Sequence, residues 1–158
     1  MFELPHPLHP ALVHFPIVFI LIGTAASIAA LFTDSWNVKK WTALFFIMGA
    51  LSAYTATWTG GKAAHEARPS SPALKRELHE HAENGESARN LAITAAVLAT
   101  MSAALDSKKG AGRFAGMATV VLAVGASFYV FQAGHIGGDM VYHHALGTTS
   151  ETESSPAR

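Results

Sequence analysis

The chain contains no cysteine. That excludes disulfides, iron–sulfur clusters, thiolate zinc sites and covalent c-type haem attached through Cys-x-x-Cys-His. Charge is also scarce: 14% of the residues are Asp, Glu, Lys or Arg, against about 25% in a typical soluble domain. The 11 cations balance the 11 anions, so no basic field argues for nucleic acid as a partner. What is plentiful is apolar surface and imidazole. Half of the 158 residues are hydrophobic, and nine are histidine, the commonest metal ligand and the side chain that titrates near neutral pH. The length suits one domain.

Four apolar stretches stand out: Ala11 to Phe32, Trp41 to about Thr59, about Leu91 to Leu105, and Phe114 to about Gly134. A hydrocarbon core of roughly 30 Å takes about 20 apolar residues in a helix. The first, second and fourth meet this length. The third does so only if the polar segment before it continues in the same helix. A soluble bundle would give each helix a charged stripe, and these stretches lack one. The expected fold class is therefore all-α, an integral membrane four-helix bundle. Its helices span about 11–32, 41–64, 72–105 and 113–135, making one domain over 1–147. The polar segment 148–158 has no large apolar residue to anchor it and reads as a disordered tail. The first span lacks the basic flank and short core of a cleaved signal peptide.

Loops 33–40 and 106–113 carry Lys39, Lys40, Lys108, Lys109 and Arg113 against only Asp34 and Asp106. By the positive-inside rule both loops face the cytoplasm. Both termini and segment 60–90 then lie outside a cytoplasmic (inner) membrane. On this topology every histidine falls at the outer end: His6, His9 and His14 at the first helix, His65 after the second, His79 and His81 before the third, and His135, His143 and His144 at the fourth.

Between the second and third helices, Gly60-Gly61 is expected to loosen the end of helix two. Ser70-Ser71-Pro72 reads as an N-cap followed by proline at the first helical position. From there one long helix runs to 105, wet in its first half and in lipid in its second. Residues three or four apart share a helix face. From His81 that face reads Gly85, Ala88, Ala92, Ala95 or Ala96, Ala99, a strip of small side chains below one imidazole. It suits close helix packing or a flat macrocycle. The face of His79 carries Glu83, Glu86 and Asn90 and is a solvated surface.

His14, in Val13-His14-Phe15-Pro16, sits one turn inside the first span, where Pro16 cannot donate to the carbonyl of Leu12. An ionisable residue there is a functional candidate, or an imidazole reaching to the interface. His9, in Leu8-His9-Pro10, is a ligand or the partner that orients one. His6 reads as an exposed turn residue. His65 extends the face of Tyr54, Trp58 and Gly61, and His135 that of Phe128 and Phe131, aromatic stripes that serve a core more often than a cofactor. His143 and His144 point apart, so one at most shares a site.

Imidazoles without thiolates, and with few carboxylates in the spans, fit haem b, copper or zinc. Facing helices that end in histidine at one level can supply axial pairs. The expected axial pair is His14 and His81, with His65, His135, His144 and His9 as further ligands or contacts for one or two haems. Membrane di-iron oxygenases want repeated histidine clusters with helper carboxylates, and only Glu80, Glu83 and one His-His pair are present.

The segments Leu8-His9-Pro10-Ala11-Leu12-Val13-His14-Phe15-Pro16-Ile17 and Gly137-Gly138-Asp139-Met140-Val141-Tyr142-His143-His144-Ala145-Leu146-Gly147 resemble the opening and closing motifs of a bacterial membrane family, domain of unknown function 2231. The resemblance runs nearly to Gly147. His9 and His14 match the opening and His144 the closing histidine, and His81 falls where the family places a histidine before helix three. Ala145 departs from the usual glycine. The family in turn resembles the small membrane cytochromes b, which implies haem. The expected function is electron transfer by bis-histidine haem b near the outer face, exchanging with a quinol or an extracytoplasmic redox protein, rather than enzymatic turnover. The alternatives are a copper or zinc protein and a structural membrane subunit.

Overall fold

The computed structural model describes residues 8–66, 69, 71–105 and 110–144. His6, Ser70 and the polar tail expected at 148–158 lie outside the described residues, as does the side chain of His144. Among the described residues, five helical segments make four rods: α1 (His9–Leu12) and α2 (His14–Ala29) form the first, followed by α3 (Trp36–Glu66), α4 (Pro72–Ala104) and α5 (Gly110–His144). No strand occurs among the described residues.

Local chemistry explains the boundaries. Proline at position 16 has no N–H for the Leu12 carbonyl, and the first rod breaks at Val13. The Val13 N–H bonds to the His9 carbonyl at 3.1 Å, and the next helical bond, Ile17 N–H to the Val13 carbonyl, stretches to 3.4 Å. Ser71 caps α4, its Oγ accepting from the Leu74 N–H at 3.2 Å, with Pro72 at the first helical position. α4 then runs unbroken from its charged half into its apolar half. α3 does not loosen at Gly60-Gly61 but continues to Glu66. α5 likewise runs through Gly137-Gly138, where Asp139 sits one turn from both His135 and His143, 3.6 and 3.9 Å away.

Each rod packs on the next in the chain, and α2 closes the ring against α5. The packing is inverted relative to a soluble bundle. The core is built from small residues: Ala43, Ala53, Ala56, Ala88, Ala92, Ala95, Ala96, Ala99, Ala115, Ala123 and Ala126 are buried, with Ser27, Thr42, Ser102 and Thr119. Among the described residues the large apolar side chains wholly inside are Ile20 and Phe46, and each fits opposite a glycine. A Cβ on Gly23 would lie 3.2 Å from the Phe46 ring, and one on Gly49 would lie 3.1 Å from Ile20 Cγ1. Thr24 joins α2 to α5 through Ser127 Oγ at 2.9 Å.

The large apolar residues face outward instead. Phe32 is 84% exposed, Phe131 74%, Phe114 73% and Val121 71%, and α3 and α4 expose Leu51, Trp58, Ile93 and Val97. Monomeric soluble proteins rarely leave contiguous apolar patches larger than a few hundred Å². Small residues between helices with large apolar residues outside are what lipid as solvent selects. Among the described residues, two helices are long and apolar enough by composition to cross a membrane, His9–Ala29 and Gly110–His143. α3 and α4 fall short of that measure because threonine, glycine and the charged half of α4 dilute them.

Candidate functional site

The buried face of α4 places His81 above Ala88, Ala92, Ala95 and Ala99. On the first rod the buried positions are Pro16, Ile20, Gly23 and Ser27, and His9 lies seven residues before Pro16, in phase with that stripe. The imidazole brought to His81 is therefore that of His9. Their ring centroids are 6.0 Å apart and their planes stand at 89°.

Each ring is held by a third helix. His9 Nδ1 lies 2.9 Å from the Ala56 carbonyl oxygen of α3, and His81 Nδ1 lies 2.9 Å from the Ala133 carbonyl oxygen of α5. A carbonyl only accepts, so both Nδ1 atoms carry the proton. The Thr59 hydroxyl approaches His9 Nδ1 at 3.5 Å. Glycine makes room for both rings: a Cβ on Gly60 would come 2.8 Å from His9 Cε1, and one on Gly137 would come 3.1 Å from His81 Cε1. On the part of α4 before its lipid-facing half, burial lowers the pKa of His81 below the ordinary histidine value, while the bond to Ala133 works against that shift. The neutral ring keeps a lone pair on Nε2. Among the described residues neither Nε2 has a hydrogen-bond partner. An imidazole bound through Nδ1–H with Nε2 available is the form that metal and haem iron bind.

The remaining histidines stand apart from the pair. His14 is exposed on the far side of the first rod. Five positions along a helix turn it by about 140° from His9. His65 is exposed and lines an open groove between α3 and α4. The faces of His135, Phe128 and Phe131 look outward, and His135 and His143 share Asp139. His79 pairs with Glu83 at 3.2 Å on an exposed surface. Among the described residues no group of three His, Cys, Asp or Glu converges as a metal site.

Sequence periodicity placed His81 inward but gave His9 a lesser role than His14. The signal lay in the spacing His9, Pro16, Gly23, which puts His9 on the small-residue stripe of its own helix. Gly60 and Gly137, one on each of the helices that hold the two rings, were the matching signs.

The family described as predicted membrane protein (DUF2231) matches residues 5–150. The chain belongs to it. No curated protein matches the chain, and no solved structure does. Family and inverted packing agree that this is a membrane protein whose outer surface meets the lipid bilayer.

Proposed function

We propose that this protein binds haem b through His9 and His81 and transfers electrons near the extracytoplasmic face of the cytoplasmic membrane. The observation that carries the reading is the pair of imidazoles from different helices, each fixed through Nδ1 with Nε2 available. Haem asks the protein for two ligands because its porphyrin supplies the other four. A tetrahedral zinc site asks for three or four, and the described residues assemble no such group. Gly60 and Gly137 seat the two rings against α3 and α5, which fixes the ligands before a cofactor binds.

Bound haem supplies a one-electron iron couple. The chain's part is to orient two rings and raise their donor strength, which the Ala56 and Ala133 carbonyls do by accepting hydrogen bonds from the Nδ1–H groups. In this reading all four rods cross the bilayer with both termini outside. The pair then sits opposite the lysine-bearing loops, so electrons exchange at the outer face with a quinol or an extracytoplasmic redox protein. The second reading is a bare copper or zinc ion. The two rings, their centroids 6.0 Å apart, are close enough to share one such ion, with water completing its coordination.

Purification in detergent followed by a spectrum and metal analysis tests both. A Soret band and a dithionite-reduced α band are expected, lost in His9→Ala and in His81→Ala but kept in His14→Ala and His79→Ala. A colourless protein with stoichiometric copper or zinc favours the second reading. A colourless, metal-free protein refutes both.

A further inference from the structure

An open groove of about 730 Å³ runs between the outer parts of α3 and α4. Tyr54 and Trp58 stand on successive turns of α3, 62% and 57% exposed. The Lys62 ammonium lies 3.7 Å above the Trp58 ring, and Glu66 follows one turn later. From α4 come Glu86 and Arg89. Arg89 donates from Nη1 to Thr57 Oγ1 at 3.2 Å and from Nε to Asn90 Oδ1 at 3.1 Å. These bonds hold the guanidinium in place and leave three of its five N–H groups for a ligand.

Two cations and two carboxylates thus share one recess, and among the described residues no ion pair links any of them. Opposite charges that line one recess with no ion pair between them among the described residues offer separate sites for the two ends of a zwitterion. The exposed tyrosine and tryptophan mark the level of the membrane–water interface, where amphipathic rings and phospholipid headgroups meet. We propose that this groove binds the headgroup of a phospholipid with a primary ammonium, phosphatidylethanolamine. Its phosphate lies on Arg89 and Lys62, its ammonium on Glu66 and Glu86, and its acyl chains run along the apolar face below Tyr54. A choline headgroup fits worse. Its quaternary ammonium cannot donate a hydrogen bond, and the Trp58 face that would attract it is covered by Lys62. A phosphatidylglycerol headgroup leaves both carboxylates facing an anionic lipid.

Delipidated full-length protein should be titrated by native mass spectrometry with dioleoyl phosphatidylethanolamine, phosphatidylcholine and phosphatidylglycerol, and with free phosphoethanolamine. Retention of a single phosphatidylethanolamine per chain is expected, about ten-fold tighter than either other lipid, as the loss of one charge-assisted hydrogen bond implies. Lys62→Gln and Arg89→Gln should each weaken it by about ten-fold, and Glu86→Gln should move the preference toward phosphatidylglycerol. Arg89 also ties α4 to Thr57. Lys62→Gln, which removes no bond between helices, therefore keeps the test sound if the arginine variant misfolds. Equal binding of all three lipids, wild-type retention by Lys62→Gln, no retained lipid, or free phosphoethanolamine binding as tightly as the lipid would each overturn the proposal.

Discussion

A single methyl group added at Gly60 disturbs the imidazole pair without altering either histidine. The Cβ of Gly60→Ala would lie 2.8 Å from His9 Cε1, 3.1 Å from Nδ1 and 3.3 Å from Nε2. The first distance is too short to persist, so the ring has to move, and the expected outcome is that it swings away from the Ala56 carbonyl and gives up that bond. Losing such a bond costs about 0.5–1.5 kcal/mol. Alanine in a helix interior returns up to about 1 kcal/mol relative to glycine. Overall stability should therefore change by less than about 1 kcal/mol, while the site changes fully. Gly61→Ala is the control, since a Cβ there meets nothing within 4 Å. It should gain helix propensity, up to about 1 kcal/mol, and leave the ring in place. Two measurements on detergent-solubilised protein decide it: unfolding curves, and nitrogen-15 spectra of labelled histidine at mildly alkaline pH, which report which ring nitrogen carries the proton. Wild type and Gly61→Ala should show His9 protonated on Nδ1, and Gly60→Ala should show a mixture. An unchanged His9 spectrum in Gly60→Ala would refute the packing of this ring against α3.

Ala92 has no exposed surface and packs with Ile20 and Ala126, so Ala92→Leu should cost roughly 1–3 kcal/mol by overpacking. Val97→Ala, at a 55% exposed position, should cost far less. Equal unfolding midpoints for the two would place the α4 strip at the lipid surface. Because the chain has no cysteine, single cysteines report topology cleanly. In intact cells, those at Ser35 and Ser107 should resist an impermeant thiol reagent while one at Ser70 reacts, and the opposite pattern would put the imidazole pair in the cytoplasm.

Much of the architecture could be read from periodicity and composition alone. The apolar runs specify helices, Ser71-Pro72 starts α4, and the spacing from His81 to Ala99 marks its buried strip, because these are relations within one helix. The gathering of histidines at one end also follows from the order of spans and loops. Glycine was harder to read: Gly60-Gly61 looked like a helix end, yet Gly60 lies inside α3 as the seat of a ring supplied by another rod. Which histidines meet could not be decided within any single segment. His9 and His14 occupy one rod about 140° apart, so only one can face the bundle axis, and its identity depends on how that rod is rotated against α3. Seating Ile20 opposite Gly49 and Phe46 opposite Gly23 sets that rotation, and it turns His9 toward His81 and His14 toward lipid and water.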